Sequence, residues 1–360
     1  MRRLVQLLVA IVFLGFGFAI AITRVIPLQD AIVHRMARKV LTTSRDYLFQ
    51  DDALRVLACG TRSPMPDHDR AGACVAVFAG GRFYVVDTGP NAWDNFALWR
   101  IPGDKVGAVF FTHYHSDHIG DLGEFNLQTW GAGRPGPLRV FGPPGVDKVV
   151  DGFTLAYELD RGYRTAHHGP EVMNPAKGLM EAHPFDIDDK NPAGTVVLEE
   201  NGLVVHAFHV DHAPVKPAVG YRFDYKGRSV GISGDTKPTP SLVAASKNVD
   251  VLFHEAQANF IVNILQEEAT AAGKTQYAHI LHDIPNYHTS PVEAAQEANE
   301  AGAGLLVLYH LTPPPTNPIL ERIFLRGVSD VRPSGVVVSR DGLLVTLPAG
   351  GKQIETGHVE

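Results

Sequence analysis

The chain has 360 residues, 45% of them hydrophobic and 20% charged, which excludes an intrinsically disordered protein and allows one large domain or two. Its formal net charge of −7 excludes a general attraction to nucleic acid phosphates, although a local basic patch stays open. The two cysteines, Cys59 and Cys74, form no CxxC pair, which excludes a Cys-rich zinc module, and we expect two buried thiols rather than a disulfide.

Residues 1–23 predict a membrane anchor or a signal sequence. Arg2 and Arg3 precede nineteen residues without a charge, Leu4 to Ile22, and this length is enough to cross a bilayer as a helix. Cleavage after Ala19-Ile20-Ala21 would release the protein into the periplasm, whereas the length of the run favours an anchor with the rest of the chain facing the periplasm or exterior. Basic residues on both sides of the run leave the orientation open.

The rest of the chain alternates short β-type runs with helical patterns. Residues 24–52 predict a linker or helix, residues 53–350 a folded domain and residues 351–360 a tail. The β-type runs are Leu54–Ala58, Ala73–Phe78, Phe83–Val86, Val106–Thr112, Leu138–Phe141, Thr195–Leu198, Leu203–His209, Ala218–Phe223, Ser229–Ser233, Val249–His254, Leu305–His310, Gly335–Ser339 and Leu343–Leu347. Strands that alternate with helices and end in polar groups predict a layered α/β body with its site along one sheet edge.

A helix is predicted over Ser290–Ala301. Ser290 is the expected N-cap, Pro291 the first helical residue and Glu293 the reciprocal partner of a capping box, with Gly302 as the stop signal. This helix begins directly after His288 and leads the chain into the strand that ends at His310.

The segment His113-Tyr114-His115-Ser116-Asp117-His118 follows the buried run Val106–Thr112. Imidazoles and carboxylates are the natural ligands of zinc-class metals, and catalytic sites leave one coordination position to water. His113 and His115 are two residues apart and point the same way from an extended segment, while Asp117 and His118 follow in a turn. The pattern therefore predicts a metal site that one short segment could supply to two ions.

This segment resembles the signature of the metallo-β-lactamase superfamily, and further motifs of that family recur in order. "VVDTGP" at Val85–Pro90 resembles its first motif, and "VDHAPVKPAVGYRF" resembles the segment that supplies a third histidine. "ISGDT" at Ile232–Thr236 resembles the bridging-carboxylate motif, and "VLYH" at Val307–His310 resembles the last ligand strand. The resemblance runs from about Leu54 to Leu347.

The resemblance implies an αββα sandwich, here behind an N-terminal hydrophobic helix, that binds two Zn²⁺ ions, with another divalent transition metal as the alternative. One metal would take His113, His115 and His212, the other Asp117, His118 and His310, and Asp235 would bridge both. His209 competes with His212, and His206 and His209 stay unassigned. Asp87 would orient a ligand from behind, and Asp117 would also orient or deprotonate a metal-bridging hydroxide.

Two further segments resemble the ribonuclease Z branch of that family. "FHEAQ" at Phe253–Gln257 resembles its His-Glu-Ala-Thr segment, and "YHTSPVEAAQEA" at Tyr287–Ala298 resembles its His-Ser-Thr helix start. The resemblance implies that His288 donates a proton to the leaving oxygen and that Glu255 steadies it. A plain helix-entry residue is the alternative for His288.

The chain departs from tRNA-processing enzymes of this branch in one respect. Those enzymes carry a long tRNA-binding arm between the third histidine and the bridging aspartate, and the 23 positions from His212 to Asp235 leave no room for one. With the acidic charge, this argues against tRNA, and we expect no nucleic-acid partner. Relatives without the arm include AtsA-type arylsulfatases and a β-lactamase of ribonuclease Z-like ancestry.

The stretch Asp147–Pro192 is then expected to form a lid and substrate wall. Four of its side chains would meet an anionic sulfate, phosphate or carboxylate, with a solvated loop as the alternative: Arg161, Arg164, His167 and His168.

These features predict a membrane-attached binuclear zinc hydrolase of small anionic esters, of arylsulfatase or phosphodiesterase type. The alternatives are a β-lactam or lactone hydrolase, a tRNA 3′-processing endonuclease and a metal-binding protein without activity. A homo-oligomer is left open.

Overall fold

The computed structural model describes residues 2–4, 6, 22–43, 45–188 and 190–359. Most of the predicted anchor, namely residues 1, 5 and 7–21, lies outside the described residues. Among those described, no helix combines the length and the apolar character that a bilayer crossing requires. The chain divides into two compact units, Met1–Arg45 and Asp46–Glu360. In the first unit, helix α1 (Ile26–Thr42) has a proline in its first turn.

The second unit contains two β-sheets. The first sheet has the strand order β15-β14-β1-β2-β3-β4-β5-β6, and the second has the order β13-β12-β11-β10-β9-β8-β7. The strands are β1 Leu54–Gly60, β2 Cys74–Ala79, β3 Arg82–Val86, β4 Val106–Phe110, β5 Leu138–Gly142, β6 Met180–Pro184, β7 Thr195–Glu200, β8 Leu203–His209, β9 Val219–Tyr225, β10 Arg228–Ile232, β11 Val251–Gln257, β12 Leu305–Thr312, β13 Val336–Val338, β14 Leu343–Leu347 and β15 Glu355–His358.

Helices connect these strands. They are α2 Ala92–Leu98, α3 Ser116–Ile119, α4 Leu122–Gly131, α5 Val146–Ala156, α6 Glu158–His168, α7 Pro240–Ala245, α8 Asn259–Ala271, α9 Thr275–Asp283, α10 Pro291–Ala301, α11 Pro318–Phe324 and α12 Val328–Val331, with short 3₁₀ turns at Asp46–Leu48, Gly103–Lys105 and Ile284–Asn286. The capping box that was predicted for α10 is confirmed, with Gly302 in the left-handed conformation after its last turn.

The β2 strand shows how the sequence builds the layers. Val75, Val77 and Ala79 face the other sheet and join the core between the two sheets, while Cys74 and Phe78 face outward to the helices on the first sheet. Alternate residues of a strand point to opposite faces, so a strand that is apolar on both faces is covered on both. The outer face of the second sheet packs in the same way against α7, α10 and α11. The predicted αββα sandwich is confirmed.

Two strands were not expected from the sequence. β6 lies inside the stretch predicted as a lid, and it pairs in parallel with β5, so this part of the chain extends the first sheet. The same stretch also contains α5 and α6, so the segment predicted as a lid and substrate wall is built from helices and a strand. β15 lies within the predicted tail and pairs with β14. Both are edge strands with few consecutive apolar residues, which is why their pattern is weak.

The cysteines are also different from the prediction. Cys59 and Cys74 form a disulfide, with their Cα atoms 4.9 Å apart, so the expectation of two free thiols was wrong. The bridge joins β1 to β2 where the pairing of these strands shifts by one residue between Ala58 and Gly60. A separation of 15 residues in sequence gives no sign of this contact, which depends on the register of the two strands.

Candidate metal centre and active site

The first group of candidate ligands follows β4, a fully buried strand of the first sheet. The chain leaves the strand in an extended segment at His113 and His115 and then turns into α3, which carries Asp117 and His118. Both His113 and His118 are completely buried, and Asp117 is 6% exposed. The buried strand thus holds four polar side chains at a fixed edge of the sheet.

The second group comes from the opposite sheet. His212 lies between β8 and β9, Asp235 follows β10, and His310 lies within β12. β12 pairs with β11 through Glu255 with Tyr309 and Ala256 with Leu311, so His310 is the extra residue of a β-bulge. Its φ of 45° is left-handed, and bulges of this kind redirect a side chain out of the regular pleat. The bulge turns His310 toward the first group.

The two groups meet around the carboxylate of Asp235. Its Oδ2 atom lies 3.4 Å from Nε2 of His118 and 3.5 Å from Nε2 of His310. The same oxygen lies 3.9 Å from Nε2 of both His113 and His212. Ligand atoms converge in one set from His113, His115, His212 and Asp235 and in another from Asp117, His118 and His310. Asp235 therefore has the central position expected of a bridging ligand.

The arrangement of these side chains suits the coordination of metal ions better than a network of hydrogen bonds. Nε2 of His113 lies 3.0 Å from Nδ1 of His115, and Nε2 of His212 lies 3.5 Å from the same atom. Burial is the main reason that the pKa values of these three histidines are lowered, to about 4 for His212, so neutral imidazoles with free lone pairs face one another. Within the described part of the chain, the buried Nε2 atom of His118 and the buried Oδ1 atom of Asp235 have no hydrogen-bond partner. A divalent cation would coordinate these atoms, and three histidines with carboxylates are a zinc-type set.

Asp87 holds the ligand segment from behind. Its Oδ1 accepts from the backbone N–H of Thr112 at 2.9 Å, and its Oδ2 accepts from the Thr112 hydroxyl and from Nδ1 of His118, both at 2.8 Å. The bond from His118 leaves its Nε2 free to bind a metal. Gly89 of the same motif is required because a Cβ there would lie 2.3 Å from the Asp117 carbonyl oxygen.

His288 and Glu255 form a pair beside the ligands. Nδ1 of His288 lies 2.8 Å from Oε1 of Glu255, which also accepts from the backbone N–H of Thr236 at 3.1 Å. Burial and the charge of Asp235 raise the pKa of Glu255 well above its usual value, while burial lowers the pKa of His288. Glu255 therefore fixes the orientation of a neutral imidazole whose Nε2 is left for a substrate.

A cavity of about 300 Å³ opens beside these groups. It is lined by Ser63, Pro64, Met65, His115, Ser116, Asp117, Asp235, Ile280, Ile284, Tyr287, His288 and Thr312. Arg161, Arg164, His167 and His168 are not part of this lining: they lie on α6, where Arg164 pairs with Asp160 at 2.8 Å. Their role as substrate ligands stays a prediction without support from the cavity.

The structure separates His212 from its competitor. His212 is in the ligand cluster, whereas His209, at the end of β8, is outside it. Sequence reasoning missed the groups that support these ligands, such as Thr112 and the Tyr287 carbonyl oxygen, 3.0 Å from Nδ1 of His212. Tyr287 stands next to His288 in the sequence, and this was the available signal.

Comparison with known families agrees with this geometry. The Beta-lactamase superfamily domain matches residues 82–311. The chain belongs to this superfamily. It is 35% identical to the ribonuclease Z of Mycobacterium marinum over 72% of its own length and 87% of that protein. It is also 35% identical to the ribonuclease Z of Mycobacterium bovis over 72% of its length and 86% of the relative. The protein is thus a metal-dependent hydrolase of the metallo-β-lactamase fold with ribonuclease Z relatives.

Solved structures support the same fold. The metallo-β-lactamase fold protein YhfI from Bacillus subtilis aligns with a TM-score of 0.58 at 21% identity over 82% of this chain and 100% of its own. The short form of human tRNase Z aligns with a TM-score of 0.58 at 19% identity over 82% of this chain and 99% of its own.

These relatives overturn the expectation that no nucleic acid would be a partner. The two mycobacterial relatives, which align with 72% of this chain, are named ribonuclease Z. The expectation rested on net charge, which averages over the whole surface, and on the missing arm. Neither describes the groups that line the cavity, so neither excludes RNA.

Proposed function

We propose that this hydrolase cleaves phosphodiester bonds in RNA with two divalent metal ions, of which Zn²⁺ suits the ligands. The observation that carries the proposal is a cluster of seven metal-competent side chains, three of which line one cavity with His288, in a chain related to ribonucleases Z. His113, His115 and His212 would hold one ion and Asp117, His118 and His310 the other, with Asp235 shared. Bound there, the metals would polarise a phosphate oxygen and make an attacking water acidic near neutral pH.

The protein's own groups would handle the leaving oxygen. A ribose oxygen is a poor leaving group, and it needs a proton as the P–O bond breaks. His288 lines the cavity beside Asp117 and Asp235, with Glu255 bonded to its far nitrogen. Burial lowers the pKa of His288, and an anionic phosphate next to the ring would act in the opposite direction and favour the protonated form that can donate. His288 would donate from Nε2, and Glu255 would keep the ring in place.

The other reactions predicted from the sequence share this site. Hydrolysis of an aryl sulfate, a β-lactam or a lactone would use the same metals, but the two mycobacterial relatives described above are named ribonuclease Z. An exported location also stays a proposal. It is supported by the Cys59–Cys74 disulfide, because disulfides persist mainly in oxidising compartments.

The experiment that tests the function combines metal analysis with a substrate panel. The purified protein would be assayed with an RNA oligonucleotide, bis(p-nitrophenyl) phosphate, p-nitrophenyl sulfate, a β-lactam and a lactone. We expect about two metal ions per chain, cleavage of the two phosphodiesters, loss of cleavage on chelation and recovery with Zn²⁺. The His115→Ala variant, purified in the same way, controls for contaminating nucleases. A metal-loaded protein that cleaves the sulfate or the β-lactam and neither phosphodiester would overturn the proposal.

A further inference from the structure

A helical hairpin stands next to the candidate active site. It consists of α8 and α9, and it connects β11, which carries Glu255, to the segment that carries His288. Its interior is a small apolar cluster of its own around Val262, Ala269, Ala278 and Leu281. Met65 and Ile284 pack against this cluster and also line the cavity. The hairpin is therefore anchored on the rim of the site.

The hairpin gives the cavity an apolar wall. Met65, Ile280, Ile284 and Tyr287 line this cavity together with the ligands His115, Asp117 and Asp235, and we call these four residues the apolar wall. Ile280 lines this cavity, and 48% of its surface is exposed there. The Tyr287 ring lies 5.4 Å from the His212 ring and 4.9 Å from the His288 ring. Apolar surface is thus held one side chain away from the groups that would contact a phosphate.

Hydrolysis of a phosphate ester at metal ions does not itself require an apolar surface. A phosphate and its metals need polar contacts, and an exposed isoleucine beside them is unfavourable unless a ligand covers it. In an RNA chain the group joined to the phosphate through a single sugar is a base, which is flat and has an apolar face. The cavity of about 300 Å³ is at the small end of ligand pockets, which suits one nucleoside rather than a longer segment.

We propose that the apolar wall binds the base of the nucleotide next to the scissile phosphate. The inference rests on the proposed function, because it places the phosphate of an RNA at the metal ligands. Contact with a base face is tolerant of sequence, since every base has such a face. The wall therefore selects nucleotides over other phosphoesters without selecting one base.

Ligand binding tests this proposal separately from turnover. The dissociation constants of adenosine 5′-monophosphate and ribose 5-phosphate, which differ by the base alone, would be measured by calorimetry on the zinc-loaded full chain. We expect the nucleotide to bind roughly tenfold more tightly than the sugar phosphate. Ile280→Ser is expected to weaken nucleotide binding by roughly three- to tenfold and to leave ribose 5-phosphate unchanged.

The hairpin supplies a matched control. Ile264 on α8 is 53% exposed and does not line the cavity, so Ile264→Ser removes the same side chain from the same hairpin. It should bind both ligands as the wild type does, and Ile280→Phe should keep the preference for the nucleotide. Equal affinities of the wild type for the two ligands, or equal losses in Ile264→Ser and Ile280→Ser, would overturn the inference. Failure of the proposed function would be seen instead as no phosphodiester turnover by the metal-loaded protein.

Discussion

Nδ1 of His288 lies 2.8 Å from Oε1 of Glu255, and the carboxylate is fully buried behind the imidazole. The same oxygen accepts from backbone N–H groups of Thr236 and Thr289, so Glu255 is fixed by two other segments of the chain. A histidine held from one nitrogen presents the other in a defined direction. The pair therefore joins the active site to the buried frame of the second sheet.

Replacing His288 by glutamine should separate substrates by their leaving groups. We expect kcat for RNA to fall by about 10²- to 10⁴-fold, because the ribose oxygen loses its proton donor. The kcat for bis(p-nitrophenyl) phosphate should fall much less, because nitrophenolate leaves without a proton. Metal content, measured on the same samples, should stay at the wild-type value. Equal losses on both substrates would show that His288 does not protonate the leaving oxygen.

Asp87→Asn should weaken metal binding. The variant loses the acceptor that holds Nδ1 of His118, and removal of such a supporting group typically costs 10- to 100-fold in metal affinity. Competition with a chromogenic chelator measures the change. Asp250→Asn is the control, because Asp250 accepts from Arg228 and the Ser229 N–H, away from the ligand cluster. Equal zinc affinities in the two variants would contradict the role given to Asp87.

The metal-free protein should lose stability between about pH 6.5 and pH 4. Burial lowers the pKa of His212 from 6.5 to about 4, so in this range the unfolded chain binds a proton that the folded chain refuses. Stability is then highest above pH 6.5 and falls with pH, by about 3 kcal/mol for this side chain. Burial acts in the same direction on His113 and His115.

Urea unfolding at several pH values measures this effect in the presence of a chelator. His212→Gln should flatten the pH dependence, whereas His279→Gln, whose side chain is 77% exposed on α9, should keep the wild-type slope. An unchanged slope in His212→Gln would exclude His212 as a source of the acid sensitivity.

Loss of the disulfide should destabilise the fold. The bridge closes a loop of 15 residues, and closure of such a loop restricts the unfolded chain by about 3 kcal/mol. The double variant Cys59→Ala, Cys74→Ala should unfold at lower urea concentration by that free energy under non-reducing conditions. The wild type in reducing agent should approach the same value, and a double variant as stable as the oxidised wild type would refute the estimate.

Some parts of the site were readable in the sequence and others were not. His113, His115, Asp117 and His118 are close in sequence, so four metal-competent groups in six positions were enough to predict ligands. The apolar wall could not be predicted, because Ile280 and His115 are far apart in the sequence and line one cavity only in the folded chain. The helical form of α6 was also missed, because none of its side chains is buried and the helix has no buried stripe.

Strands whose two faces are both buried give the clearest signal in the sequence. β4 and β12 are fully buried, and their continuous apolar runs are visible in the sequence. β15 is fully exposed, and its residues Glu355–His358 resemble a loop. The frame of the site was therefore predictable, as were the edge strands β7 and β13, whereas the edge strands β6 and β15 were not.

The ligands belong to two different sheets: those around His113 follow β4, whereas Asp235 and His310 extend from β10 and β12. Metal ions bound between these ligands would link the two sheets. Because the ions bind the folded form alone, they would raise its stability, and tighter binding would raise it more. Chelation should therefore lower the melting temperature as well as the rate. The same seven side chains would then contribute to both catalysis and stability. A substitution of one of these ligands that favours a new reaction would therefore also weaken the link between the two sheets.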